Sequence, residues 1–172
     1  MSAFATTSQC ARMLQNLDQW LQAGVAHAQQ KGFDPDVLAQ ARLAPDQYAL
    51  AQQVQSACDQ AKYLAAYLSG QAPPSHPDTE KTVSELRARI ATCLAYLATF
   101  KAADFTGAEE RRVAPPWMQG KSVRGEHYLD RIGIPNFYFH LTTAYAILRN
   151  NGVALGKADF IGVKDFAELA EW

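Results

Sequence analysis

The sequence predicts an all-α protein: a four-helix bundle with a small hairpin or loop insertion between the third and fourth helices. Three observations carry that prediction. Four long stretches repeat apolar residues at three- and four-residue steps, the spacing that lines one face of a helix. From Ala103 to Gly125 the periodicity stops and Gly107, Pro115-Pro116, Gly120 and Gly125 take over. Strand-like segments do not alternate with helical ones, which excludes an α/β fold. At 172 residues the chain reads as a single domain, 1–172, long enough to bury a core.

The first helix runs from about Phe4 to Gln30 on Cys10, Met13 or Leu14, Leu17, Leu21, Val25 and Ala28, and Gly32 stops it. His27 near its end faces solvent or the helix terminus. Asp34-Pro35 opens a short helix to Ala41, with Asp as cap and Pro at the first helical position. The second long helix is expected from Asp46 to Leu68, ended by Gly70. Its apolar face is Leu50, Val54, Ala57, Cys58, Ala61, Leu64, Ala65 and Leu68. The other side carries Gln52, Ser56, Asp59, Tyr63 and Tyr67, and aromatics there suggest that this side is covered as well. Asp59 is therefore a candidate cleft carboxylate, with plain exposure as the alternative.

Gln71 to Pro77 is a proline-rich connection in which His76 reads as a loop residue. Asp78 or Thr79 is expected to cap the third helix, whose stripe is Val83, Leu86, Ile90, Cys93 or Leu94, Leu97 and Phe100; Arg87 and Arg89 read as solvated. In the insertion, Gln119-Gly120-Lys121 suits a tight turn between two short extended arms. Trp117 and Met118 near its tip could pack on the bundle, form a lid or meet a partner subunit. Glu126 to Leu129 leads to Pro135, which fits the first turn of the last helix. That helix is expected to bury Ile134, Phe137, Leu141, Ala144, Tyr145 and Leu148, with Asn136, His140, Thr143 and Ile147 on an adjacent face. A short helix at Lys164–Glu171 follows in the tail. Gly156-Lys157 is no phosphate loop, since the upstream glycine and strand are missing.

Composition narrows the function. A net charge of −1, with no basic run and no interleaving of aromatic and basic residues, argues against nucleic acid. The opening residues lack the basic and apolar regions of a signal peptide, and no window reaches the roughly 18 apolar residues of a membrane span. A cytoplasmic protein with no membrane partner is expected. Cys10, Cys58 and Cys93 are far apart and odd in number, which reads as buried, reduced thiols, with a catalytic thiol as the alternative.

Asn136 and His140 stand out. They are one helical turn apart inside an aromatic run, so both side chains can address one point. With Asp59 of the second helix they could hold a divalent metal, which normally wants three protein ligands. Alternatively, an Asp59–His140 pair could do acid–base work, the carboxylate fixing the imidazole tautomer. Both depend on the two residues meeting.

The segment Pro135-Asn-Phe-Tyr-Phe-His-Leu-Thr-Thr-Ala-Tyr-Ala-Ile-Leu-Arg-Asn-Asn-Gly152, with Leu155-Gly-Lys157 and Asp159-Phe-Ile-Gly162, resembles the closing motif of the family called domain of unknown function 1993. Gln40–Asp46, Gln53–Lys62 and Glu85–Ile90 extend the resemblance over almost the whole chain. It implies the DinB/YfiT-like superfamily of metalloenzymes: an up-down-down-up bundle, often a homodimer. It also implies a three-histidine site for zinc or nickel, built from one ligand on the second helix and a His-x-x-x-His pair on the last. Some of its members are thiol-dependent transferases or isomerases that use mycothiol or bacillithiol. Carried onto this sequence, His140 falls on the second histidine of the pair, Asn136 replaces the first, and Asp59 is the strong ligand nearest the second-helix position. Three functions follow as expectations: a small-ligand protein whose cleft is lined by Asp59, Asn136 and His140 with Tyr63 and Tyr145 nearby; a metal- or His-dependent transferase or hydrolase; or a structural dimer.

Overall fold

In the computed structural model, which describes residues 2–163, four long helices pack around one core. Helix α1 spans Ala3–Lys31, α2 Leu50–Ser69, α3 Val83–Leu97 and α5 Ile134–Asn150. Side-chain pairs fix their directions. Gln9 meets Tyr138 and Trp20 meets Tyr145, so α1 and α5 run parallel. Gln53 meets His140, and a Cβ at Gly133 would stand 2.2 Å from Leu64 Cδ2, so α2 opposes α5. Asp18 meets Arg87, and Phe4 packs on Phe105 just beyond the end of α3, so α3 opposes α1. The order is up-down-down-up. Because α2 and α3 point the same way, the chain between them must travel back along the bundle, and the extended proline-rich segment 71–81 does so.

The caps explain where the helices begin and end. Ser2 accepts from Ala5 N–H at 3.2 Å to open α1, and Gly32 closes it in the left-handed region at φ 76°. The segment Pro35–Gln40 is a 3-10 turn rather than an α-helix, with Asp34 accepting from Asp36 N–H. Helix α2 begins at Leu50, four residues later than expected from Asp46, because Gln52 Oε1 takes the Ala49 N–H and the preceding residues form a turn. Helix α3 begins after Thr82, not at Asp78 or Thr79. Thr82 and Glu85 satisfy each other's backbone donors reciprocally, and Val83 N–H reaches Asp36 Oδ1 at 2.8 Å.

The insertion is a hairpin, β1 (Arg112–Val113) against β2 (Val123–Arg124), with Arg112 opposite Arg124 and Val113 opposite Val123. Trp117 at its tip is 61% exposed and does not pack into the bundle. The hairpin leads directly into α4 (Gly125–Tyr128), where a Cβ on Gly125 would lie 1.8 Å from the Ala108 carbonyl oxygen. Pro135 lies in the first turn of α5, as the sequence suggested, although α5 continues a helical run that starts at Gly125. A π-turn at Leu129–Gly133, closed by Ile134 N–H on Leu129 O, links α4 to α5. Proline lacks an N–H and its ring crowds the carbonyl four residues back, so one wider turn accommodates it without ending the helix.

The core is the stripe the periodicity marked: Leu14, Leu17, Leu21, Leu50, Val54, Leu64, Leu86, Ile90, Phe137, Leu141 and Leu148 are all buried. A last short helix, α6 (Lys157–Ile161), docks on α1, where Trp20 Nε1–H donates to Asp159 O at 2.9 Å and stacks on Phe160. The expected helix at Lys164–Glu171 lies outside the described residues. Cys10, Cys58 and Cys93 are all buried and unbridged. Burial pushes the Cys10 thiol up to about 12, and a hydrogen bond with Cys93 together with burial raises Cys58. Such thiols are poor nucleophiles. Among the described residues no helix is long and apolar enough to cross a membrane.

Candidate functional site

The contact between α2 and α5 carries a polar seam inside an otherwise apolar interface. Gln53 stands on the core face of α2, between Leu50 and Ala57, and is fully buried. Its amide donates from Nε2 to the Tyr48 carbonyl at 3.3 Å, and its Oε1 lies 2.8 Å from His140 Nδ1. The orientation of this amide follows from its neighbours. The Tyr48 carbonyl can only accept, so the NH2 group must face it and Oε1 must face the imidazole. Oε1 also only accepts, so Nδ1 carries the proton. His140 Nε2 is then the unprotonated nitrogen. It makes no hydrogen bond among the described residues and is not among their sealed polar atoms. The Tyr48 ring stacks near the imidazole at 6.4 Å and Phe139 meets it edge-on at 5.3 Å, both aromatics being about half exposed. Burial lowers the His140 pKa from its ordinary value, so the ring is neutral at pH 7.

Asn136, half-buried one turn before His140, has no side-chain hydrogen bond among the described residues. The antiparallel register set by Gln53–His140 and Leu64–Gly133 brings it level with the Ala57–Ala61 turn of α2. Gln60 lies two turns from Gln53 on nearly the same helical face. Among the described residues the seam therefore offers amides and one imidazole lone pair, with no carboxylate.

Asp59 belongs to a different place. It sits about a third of a turn around α2 from the Gln53 face, where its Oδ1 accepts from Lys62 Nζ at 2.7 Å and from Arg89 Nη2 at 2.8 Å. Arg89 is not solvated, as its spacing suggested, but has a side chain 2% exposed. It also holds Glu80 at 3.1 Å, Asp78 at 3.2 Å and the Pro77 carbonyl at 3.2 Å. Burial works against its charge, but Asp59 and Glu80 outweigh it and raise its pKa. Asp59 and His140 are not hydrogen-bonded to each other: Asp59 pairs with Lys62 and Arg89, and His140 Nδ1 with Gln53. Tyr63 stacks on Tyr67 beside this ion cluster, while Tyr145 is committed to Trp20 and Phe160.

The donor set does not fit a three-ligand metal centre. Among the described residues no three His, Cys, Asp or Glu side chains gather as metal ligands. His140 Nε2 is the one strong donor at the seam; Asp59 is neutralised by two cations, and Asn136 is an amide that suits only oxygen-preferring ions.

The model of the domain of unknown function DUF1993 matches residues 4–161. The chain belongs to the DUF1993 family. A crystal structure of a DinB family member from Shewanella denitrificans is 46% identical, with 91% of this chain and 89% of that one covered and a TM-score of 0.87. The bundle of this DUF1993 protein is thus DinB-like. No curated protein matches it.

Three parts of this DUF1993 site are not evident from simple motif reading. Gln53 was detectable in principle as a polar residue in a core register between Leu50 and Ala57. Arg89 likewise sits beside Leu86, Ile90 and Cys93 on the inward side of α3. Tyr48 lies in a turn without periodicity, and only tertiary packing brings it to His140.

Proposed function

We propose that the seam between α2 and α5 binds a small organic ligand, with His140 Nε2 accepting a hydrogen bond from it and the Asn136 amide offering a second contact. The single observation behind this reading is the Gln53–His140 pair. A buried glutamine fixes the imidazole tautomer so that its lone pair meets solvent between two half-exposed aromatics. The aromatic flanks suit a planar or apolar body, and a lone-pair acceptor suits an N–H, O–H or S–H group on it. The same imidazole could take a proton from such a ligand, which leaves His-dependent transfer or hydrolysis as the catalytic extension, with no metal step. Cytoplasmic location and homodimer formation remain part of the proposal.

Ligand-observed NMR with a fragment set that pairs each hydrogen-bond donor with its methylated analogue tests the reading. Donors are expected to bind the native protein and lose about tenfold in affinity, roughly one hydrogen bond, in His140→Ala. Equal binding of donor and methylated analogues, or unchanged binding to the variant, would overturn it.

A further inference from the structure

About a turn and a half along α2 from the seam, the loop between α2 and α3 is strapped to the bundle by a cluster that the proposed ligand site does not use. Arg89 holds three points of this loop: the Pro77 carbonyl, Asp78 and Glu80. His76 lies just before them between Pro74 and Pro77, and lines one groove of about 330 Å³ with Thr79, Glu80, Glu85, Arg89 and Thr92. Two nitrogens there are sealed from solvent without any hydrogen-bond partner among the described residues: His76 Nδ1 and Arg89 Nε. Unpartnered buried polar atoms are uncommon, and two in one groove mark a place where the packing is not at its hydrogen-bonding optimum.

The charges around the ring come from every element packed against it. Helix α2 contributes Lys62 and Asp59, α3 contributes Arg89 and Glu85, and the loop itself contributes Asp78 and Glu80. Among the described residues the carboxylates outnumber the cations there, yet none is offered to the imidazole. Asp59 Oδ1 is shared by Lys62 and Arg89, Glu80 is taken by Arg89 and Gln55, and Glu85 caps α3. A neutral ring tolerates this slot with its lone pair at Nδ1. A protonated ring would hold a donor there with no acceptor, close to an ammonium and a guanidinium.

We propose that His76 is an acid-released latch: taking up a proton drives its ring out of the groove and pulls Pro77 away from Arg89, freeing the α2–α3 loop. Burial, with Lys62 and Arg89 next in effect, depresses the His76 pKa below 6.5, which places the release on the acid side of neutrality. Pro73, Pro74 and Pro77 stiffen the segment, so displacement of the ring is transmitted to the Pro77 carbonyl. Opening would expose the buried face of Arg89 and Lys62, the two cations that now hold Asp59.

The test is an NMR titration from pH 7.5 to pH 5.0 of the native chain and His76→Gln. It follows the His76 ring carbons, the Arg89 Nε–H signal and the amides of Asp78 to Glu80. In the native protein the Arg89 signal is expected to be lost and the loop amides to move with one midpoint, the His76 midpoint, below 6.5. In His76→Gln the same signals stay constant over that range, fixed in either the closed or the open native position. A His76 midpoint at or above 6.5, a titrating ring with static loop amides, or the same transition in His76→Gln would each overturn the latch.

Discussion

Gln53 and His140 face each other across the α2–α5 contact at 2.8 Å, and the buried amide decides which imidazole nitrogen carries the proton. This is the arrangement by which an orienting group usually prepares a functional histidine. Gln53→Leu removes the acceptor and leaves both Nδ1 and the Tyr48 carbonyl without their partner. The variant is expected to lose about 1–3 kcal/mol of stability in urea denaturation. The long-range nitrogen–proton spectrum of His140 should shift from a pure Nδ1–H form to a tautomeric mixture. A pure Nδ1–H pattern in the variant would show that Gln53 does not set the tautomer.

The depressed pKa of His140 makes stability depend on pH in a definite direction. Its folded pKa lies below the ordinary 6.5 because burial disfavours the charged ring. The unfolded chain therefore binds more protons than the folded one just below that value. The stability contributed by the neutral ring is complete above pH 6.5 and is lost as pH falls through the folded pKa. His76, shifted in the same direction, adds to the effect. Urea midpoints measured from pH 7.5 to pH 5.0 should fall with pH, and His140→Gln should flatten that slope.

Arg89 ties together α2, α3 and the loop that joins them. Replacing it with alanine leaves Asp59 and Glu80, both largely shielded from water, without their guanidinium partner. Removing one member of a buried ion pair typically costs about 3–5 kcal/mol. Arg89→Ala is expected to fall in that range, and Arg89→Ala with Asp59→Asn should recover part of the loss. Additive losses in the double variant would mean that the pair is not coupled.

Gly125 has no room for a side chain, since the Ala108 carbonyl occupies the Cβ direction at 1.8 Å. The obstacle is backbone, which a rotamer change cannot relieve. Gly125→Ala should therefore displace the hairpin from the bundle end and cost at least about 1–3 kcal/mol. Broadened hairpin amide signals together with a lowered melting temperature would show it.

The bundle was legible in the sequence because burial repeats with the helical period. Leu50, Val54, Leu64, Leu86, Phe137 and Leu141 sit where that period places them. The hairpin was legible from its glycines and prolines. Helix starts were less so. Thr82 and Glu85 formed a capping signature that the acidic residues upstream obscured; Pro135 did mark the first turn of α5, but the helical run leading into it from Gly125 was hidden because a π-turn is invisible to periodicity. At the site, Asn136 and His140 were found from their spacing, while Asp59 was proposed from its place on the aromatic-bearing side of α2 and from the family resemblance. Its carboxylate turned to Arg89 because a buried cation on α3 had the stronger claim on it than a neutral ring on α5.

Metal content follows from the same geometry. A tight zinc or nickel site needs three good donors, and the seam presents one imidazole lone pair beside amides. The lone pair can still bind a divalent ion weakly, as any accessible histidine does. Protein purified without a chelator or a histidine tag is expected to carry well under one equivalent of zinc or nickel by elemental analysis. Added zinc should shift the His140 ring signals only at high micromolar concentration or above, and His140→Ala should abolish that shift. A stoichiometric metal that survives dialysis and disappears in His140→Ala would instead mean that the α2–α5 seam rearranges around an ion. It would also move the function from ligand binding to metal-dependent chemistry.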